Sequence, residues 1–328
     1  MSAERSIGST PLILDIKGNA LDDGPGIRSV VFFKGCLLDC DWCHNPESIS
    51  KVGEISFEAK ECLGFEFCGS SGSISDSLSD KPLCEASCPE QAIIINNKEL
   101  IDRDKCTYCY QCVEACPSTA ITQVGEMMSV DEICQRVLKY KSFYDSSGGG
   151  VTLSGGEPTL HMEFVSELLK KLKANGVHTL LQTCGLFPYD KFISLLYPWL
   201  DTIYFDLKLY DANQHRQYCG ASNEAILSNF AKLHQLYLEG GVEILARTPL
   251  VPGITDSESN LKAIAQFLKE HNVSRTELMT YNPIWHDKRD KLGYNADTDC
   301  DDLLKQWMSQ AQVEQCENIF KDAGLQLV

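Results

Sequence analysis

Nowhere in the 328 residues does an apolar run reach the length of about 18 that a membrane-spanning helix needs. The opening residues, MSAERSIGST, contain no apolar stretch of the kind a secretory signal carries and are expected to fray. Both absences point to a cytoplasmic protein that neither spans a membrane nor is secreted. Positive charge is also scarce: 29 Lys and Arg face 46 Asp and Glu, a net of −17. Nucleic acids and anionic membrane surfaces attract clustered basic residues, so neither is expected as a partner, and the charge serves solubility. Cysteine, in contrast, is abundant at 16. Without a secretion signal, so many thiols read as metal ligands rather than disulfides.

Eleven of the cysteines lie between Cys36 and Cys116. The remaining five, Cys134, Cys184, Cys219, Cys300 and Cys316, are single and read as buried small apolar side chains. Strand-like runs stand at SVVFFKG (29–35), expected to be the first strand, and at VTLSG (151–155), HTLLQT (178–183), TIYFDLK (202–208), VEILART (242–248) and ELMTYN (277–282). Helical patterns at 161–175, 189–198, 224–238, 258–271 and 301–323 fall between and after them. Strands alternating with helices imply parallel strands joined by crossover helices. Six such units are fewer than a closed barrel has, so the expected fold class is α/β, a partial (β/α)6 TIM-type barrel. Residues 51–125 break the rhythm, and GSSGSISDSLSDKP (69–82) reads as a loop. The expected division is a barrel from residues 1–50 and 126–328 with a small cysteine-rich α+β domain inserted at 51–125.

CLLDCDWC (36–43) spaces its cysteines as C-x3-C-x2-C. Thiolates bind soft metals and iron–sulfur clusters. Three of them on a tight loop can hold three irons of a four-iron cube and leave the fourth open to a chelating substrate. An electron-transfer cluster normally closes every position. Structural zinc is the alternative, but it usually takes four ligands in paired motifs.

With Trp42 before the last cysteine, this spacing resembles the signature of the radical S-adenosylmethionine superfamily. DGPGIRSVVFFKGCLLDCDWCHNPE (23–47) narrows the resemblance to the activating enzymes of glycyl radical enzymes. There a DGPGxR segment precedes the cluster loop and CxN follows it. Gly24, Gly26, Arg28, Phe32, Gly35, Cys36, Cys40, Cys43 and Asn45 stand where that pattern puts them. SGGEP (154–158) lies at the end of a predicted strand, where barrel active sites gather. The resemblance implies that this segment, Gly155, Gly156 and Glu157, receives the amino group of the methionine moiety, glycine letting a ligand approach the backbone. It likewise implies that Trp42, Thr183 of QTCG, Asp206 and Lys208 of DLK, Arg247 and the VPG turn (251–253) serve the cofactor or an associated monovalent cation. Gln182 departs from the acidic residue that relatives often carry, which leaves the cation open. Asn282 of TYNPIWH stands where some relatives have a histidine.

CTYCYQCVEACP (106–117) is the C-x2-C-x2-C-x3-C-P run of bacterial ferredoxins, whose fourth cysteine serves the other cluster of a pair. Upstream, Cys62, Cys68, Cys84 and Cys88, followed by Pro89, make a looser copy, and each copy ends in CP before a helix-like turn, EQAI or STAI. The ferredoxin-like reading assigns Cys62, Cys68, Cys84 and Cys116 to one 4Fe-4S cluster and Cys88, Cys106, Cys109 and Cys112 to the other. Such an insertion resembles the larger activating enzymes, those serving hydroxyphenylacetate decarboxylase, benzylsuccinate synthase and glycerol dehydratase. The expected cofactors are S-adenosylmethionine and three 4Fe-4S clusters. The expected partners are a glycyl radical enzyme, whose glycine is the substrate, and a flavodoxin or ferredoxin as reductant. Two other readings compete: a radical S-adenosylmethionine enzyme acting on a small molecule or peptide, and a ferredoxin-like carrier without catalysis.

Overall fold

The computed structural model describes residues 10–68, 81–95, 99–294 and 302–328. The expected fraying of residues 1–9, most of the 69–82 loop and Cys300 lie outside them. Among the described residues eleven strands run in chain order: β1 (Leu12–Ala20), β2 (Arg28–Phe33), β3 (Glu54–Phe57), β4 (Ile121–Val124), β5 (Glu126–Met127), β6 (Gly150–Gly155), β7 (His178–Thr183), β8 (Thr202–Asp206), β9 (Glu243–Pro249), β10 (Arg275–Met279) and β11 (Gln326–Leu327). Nine of them form one sheet in the order β11-β10-β9-β8-β7-β6-β2-β1-β5.

From β2 through β11 every neighbouring pair in that sheet is parallel. The sheet ends at β11 on one side and β5 on the other, so it is an open α/β sheet, consistent with a partial TIM-type barrel. Parallel strands covered on both faces must be apolar throughout, and Val30, Val31, Val151, Leu153, Leu180, Leu181, Ile203 and Phe205 are all 0% exposed. Helices Met162–Ala174, Glu224–Leu238 and Glu258–Glu270 cover the sheet through Leu168, Phe230 and Leu261.

SVVFFKG is not the first strand. β1 precedes it and pairs with it antiparallel, and the two are joined across the DDGPG turn, where Gly24 and Gly26 take φ of 129° and 69°. The helical pattern at 301–323 divides into a 3-10 turn, Asp302–Lys305, and a helix, Gln310–Asp322, that opens on a capping box at Ser309. The helix expected at 189–198 ends at Leu195, and a second turn starts at Tyr197 with Pro198 in it, because proline cannot continue the first.

Between β2 and β6 the chain leaves the main sheet. β3 and β4 pair antiparallel as a separate two-stranded sheet, and Ile93 bridges Ile101. With them Ile55, Cys84, Leu100, Cys112 and Ile121 form an apolar cluster distinct from the main core. The turns after the two CP pairs are not helical. Each carries a left-handed residue, Gln91 at φ 50° and Thr119 at φ 60°, at the same distance past its cysteine, and each leads into extended chain. No helix among the described residues is long and apolar enough to cross a membrane.

Candidate active site

The loop bearing Cys36, Cys40 and Cys43 leaves the C-terminal end of β2 and is held by main-chain bonds on three sides. Gly35 N donates to Ser48 O at 2.7 Å and Cys36 N to Ile49 O at 3.1 Å, pairing the loop's two ends. Asp39 N and Asp41 N donate to the carbonyls of Cys219 and Tyr218 at 3.0 and 3.1 Å. Those carbonyls belong to the last turn of helix Ala212–Cys219, which has no partners for them within itself. Glu157 N donates to Gly35 O at 2.8 Å and Gly156 N to Phe33 O at 2.8 Å, so the SGGEP turn lies directly against the loop's root.

That contact explains both glycines. A Cβ on Gly156 would stand 2.1 Å from Gly35 O, and one on Gly155, whose φ is 107°, would stand 2.3 Å from Phe33 N. The chain's own backbone, rather than an approaching ligand, demands glycine here. Glu157 is 0% exposed. Its Oε1 accepts from Thr159 N, Thr159 Oγ1 and Thr183 Oγ1 at 3.1, 2.7 and 2.9 Å, and its Oε2 from Cys184 N at 2.7 Å. The carboxylate is thus satisfied within the protein and clasps the end of β6 to the end of β7. Thr183 belongs to the same clasp, since its Oγ1 also accepts from Gly185 N at 3.0 Å.

Asp206, Lys208 and Arg247 meet at the ends of β8 and β9. Arg247 Nε and Nη2 donate to Asp206 Oδ1 at 3.2 and 2.9 Å, and Lys208 Nζ donates to Oδ2 at 3.0 Å. The Arg247 guanidinium also stacks 5.0 Å from the centre of the Tyr204 ring. Burial pushes the Asp206 carboxyl up, but the two cations outweigh it and hold the group below its usual range. Burial disfavours the Lys208 ammonium, yet Asp206 and the thiols of Cys40 and Cys184 keep it charged well above its ordinary value.

Lys208 also bears on the cysteines. Its charge favours thiolate at all three cysteines of the loop, but hydrogen bonding to Cys184 at Cys36, hydrogen bonding to Cys219 at Cys40 and burial at Cys43 are the larger influences. Without metal, burial pushes Cys43 up to about 12. A hydrogen bond with Cys219, then burial, raises Cys40, and a hydrogen bond with Cys184 lowers Cys36. Three thiols on one loop with no disulfide among them are the donor set of an iron–sulfur cluster, and a buried ammonium nearby offsets charge once they ligate, so the residues fit that group. Among the described residues no three Cys, His, Asp or Glu side chains stand together as around a single ion.

Trp42 is 7% exposed and packs into the main core, where it anchors the loop from beneath. Gln182 accepts from Ser154 Oγ at 2.6 Å and donates to Asp23 Oδ1 at 3.5 Å. Asn282 Oδ1 accepts from Ile284 N at 3.0 Å, and its backbone bonds His44. At the VPG turn, Gly253 N donates to Asp256 Oδ1 at 2.8 Å. Of the five single cysteines, Cys134, Cys184, Cys219 and Cys316 are buried as expected. Sequence reasoning missed that Cys184 and Cys219 reach Cys36 and Cys40, and it missed Lys288, whose ammonium meets the loop just after Cys43.

Between residues 51 and 125 the two cysteine sets separate. Cys62, Cys68, Cys84 and Cys116 line one cavity with Phe57, Leu63 and Pro117. Cys88, Cys106, Cys109 and Cys112 line a second with Ile55, Ile93 and Tyr110. Backbone amides point at two of the sulfurs, Ala92 N at Cys88 Sγ (3.2 Å) and Tyr108 N at Cys106 Sγ (3.4 Å).

The sequence matches the radical SAM superfamily over residues 103–267 and a 4Fe-4S single cluster domain over residues 22–65. It is 35% identical over 285 residues to the isethionate sulfite-lyase activating enzyme of Desulfovibrio desulfuricans, covering 86% of each chain. It is also 35% identical over 291 residues to the benzylsuccinate synthase activating enzyme of Thauera aromatica, covering 86% of this chain and 82% of that one. Among solved structures, a domain of a pyruvate-formate lyase-activating enzyme from Bacteroides vulgatus shares 29% identity with a TM-score of 0.44, covering 55% of this chain and 98% of that one.

Proposed function

The chain belongs to the radical S-adenosylmethionine superfamily and, within it, to the activating enzymes of glycyl radical enzymes, and we propose that its chemistry is centred on Cys36, Cys40 and Cys43 at the ends of β2, β6, β8 and β9. It is an oxidoreductase. Cys36, Cys40 and Cys43 would hold a cluster that, once reduced by an external one-electron donor, would supply the electron for cleaving S-adenosylmethionine to methionine and a 5′-deoxyadenosyl radical. Hydrogen transfer from a glycine of the partner enzyme would then give 5′-deoxyadenosine and the glycyl radical.

The observation that carries the site is the contact between the cysteine loop and the SGGEP turn beside the buried Asp206–Lys208–Arg247 set. The three cysteines would hold three irons. Glycines 155 and 156 let the SGGEP backbone lie against the loop, leaving its main-chain groups as the partners for the methionine ammonium. Glu157 and Thr183 fix that turn rather than binding through their own side chains. Arg247 and Lys208 present cationic donors to the methionine carboxylate, while Asp206 holds both in place and keeps the pair from repelling. The buried shell supplied by Trp42, Leu38 and Leu207 limits water at the reacting atoms. A monovalent cation would compete with Gln182 for Asp23 and Ser154.

Residues 51–125 are proposed as a ferredoxin-like domain inserted in a barrel formed by 1–50 and 126–328. Two 4Fe-4S clusters would sit in it with the crossed ligand sets. The support is that each set of four cysteines lines its own cavity and that the left-handed turns at Gln91 and Thr119 repeat after the two CP pairs. Paired clusters suit electron relay from a flavodoxin or ferredoxin.

The partner is a glycyl radical enzyme. Incubating the reduced, iron-loaded protein with S-adenosylmethionine and a co-expressed glycyl radical enzyme should give the partner's glycyl doublet in electron paramagnetic resonance. Stoichiometric cofactor cleavage with no radical on any such partner would favour a small-molecule or peptide substrate instead.

A further inference from the structure

The short helix Trp285–Lys291 joins parts of the molecule that are distant in sequence. Its foot is fixed to the barrel side. Trp285 Nε1 donates to Tyr281 Oη at 2.6 Å, and Tyr281 Oη donates to Leu304 O at 2.6 Å. Its far end meets the inserted module, where Lys291 pairs with Glu58 and Tyr294 donates to Glu54 Oε1. Gly293 is tight against Arg103 of the module, since a Cβ there would lie 2.6 Å from the guanidinium Nε. Midway, Lys288 Nζ donates to His44 O at 3.0 Å, Asn45 Oδ1 at 2.8 Å and Glu47 Oε1 at 3.0 Å. All three hydrogens of one ammonium are therefore spent on the four residues that follow Cys43.

The same residues are reached from a second side. Lys34, two positions before Cys36, donates to Glu47 O at 2.6 Å and to Glu54 Oε2 at 2.5 Å, with the pair almost fully buried. Glu54 thus bridges Lys34 and Tyr294, and Glu47 bridges Lys34 and Lys288. The loop is gripped before its first cysteine and after its last, and both grips lead to the helix.

We propose that Lys288 is a positioning residue for the catalytic cluster, holding the segment after Cys43 in place from its own helix. The inference rests on the cofactor site placed at Cys36, Cys40 and Cys43. Lys288 is not a ligand and touches no reacting atom. It acts by fixing the direction from which Cys43 meets the metal, and a misplacement on the order of 1 Å at a reacting centre costs about 10²-fold in rate.

The test uses the full-length, iron-loaded protein and S-adenosylmethionine itself. Lys288→Met should keep the wild-type iron content, lower the rate of cofactor cleavage by about tenfold to a hundredfold, and change the resonance spectrum of the reduced cluster with cofactor bound. Lys288→Arg, which retains a charged multiple donor, should recover most of both. Lys291→Met cuts only the helix's link to Glu58 and should leave cleavage and spectrum unchanged. Wild-type rate and spectrum in Lys288→Met would overturn the inference while leaving the cofactor site standing. So would equal losses in Lys288→Met and Lys291→Met, which would mean general loosening of the helix. Absence of cleavage in the wild type would overturn the cofactor site and this inference with it.

Discussion

Replacing Gly156 with alanine adds one carbon where the chain has no room for it. The new Cβ would lie 2.1 Å from Gly35 O, 2.7 Å from Gly35 C and 2.8 Å from Ser48 O. Relief to the 3.0 Å floor of real contacts requires about 0.9 Å of movement, and every obstructing atom is backbone. The movement falls on Gly35, next to Cys36, and on the bonds Gly35 N–Ser48 O and Glu157 N–Gly35 O. Overpacking of this kind costs about 1–3 kcal/mol. A shift of about 1 Å at the root of the cysteine loop should lower cofactor cleavage by about 10²-fold. Gly176→Ala is the control. Gly176 has φ of 68° with nothing within 4 Å of its would-be Cβ and lies at the opposite end of β7. Backbone strain there should cost about 1–2 kcal/mol with iron content and cleavage intact. Denaturant midpoints, iron per chain and 5′-deoxyadenosine formation for both variants decide the matter. Normal iron retention and normal cleavage in Gly156→Ala would refute the claim that backbone contact dictates this glycine.

Lys34→Met strips the cationic partner from Glu54, leaving only the Tyr294 hydroxyl, at a site where both side chains are nearly inaccessible, so urea unfolding should show a loss of about 3–5 kcal/mol; a loss under 1 kcal/mol would contradict the pairing. Asp206 is held below its usual range, so its contribution is present above about pH 4 and is lost only as pH falls through the lower folded value. Lys208 is raised, so its contribution is present below about pH 10 and is lost only as pH rises through the higher folded value. The KM for S-adenosylmethionine should therefore carry no step from this set between pH 6 and 9, and a step in that range that Asp206→Asn abolishes would contradict the charged pairing. Cys109→Ala should slow activation by a protein reductant while a strong small-molecule reductant restores cofactor cleavage, if the module relays electrons; failure with both reductants would make it a scaffold whose fold depends on its metal.

The parallel strands were legible because burial on both faces makes them short, continuous apolar runs. HTLLQT was expected at 178–183 and is β7 over those residues, and the helix expected at 224–238 is Glu224–Leu238. β1 was not read, although LILDIKGNA has alternating burial, the signature of a strand with one wet face. Its charged and glycine positions dilute the apolar signal, and its pairing depends on a turn that bends the chain back. Cysteine spacing singled out the loop of Cys36, Cys40 and Cys43 because the three are local in sequence. The grips on that loop are not local: Lys288 and His44 are 244 positions apart. Cys219 looked like any buried cysteine because only the fold brings helix Ala212–Cys219 against Asp39 and Asp41. The glycines of SGGEP were singled out for a ligand, but the contact that requires them, with the backbone of Phe33 and Gly35, is tertiary and no pattern within five residues can express it.

Cofactor cleavage is proposed to take place at the loop of Cys36, Cys40 and Cys43 and not at the proposed module. Anaerobic reconstitution of the wild type should give about twelve irons per chain, and replacing these three cysteines together by alanine should leave about eight. The variant should form no 5′-deoxyadenosine with dithionite as reductant, while the wild type does. Cleavage that survives in the triple variant would contradict the account outright.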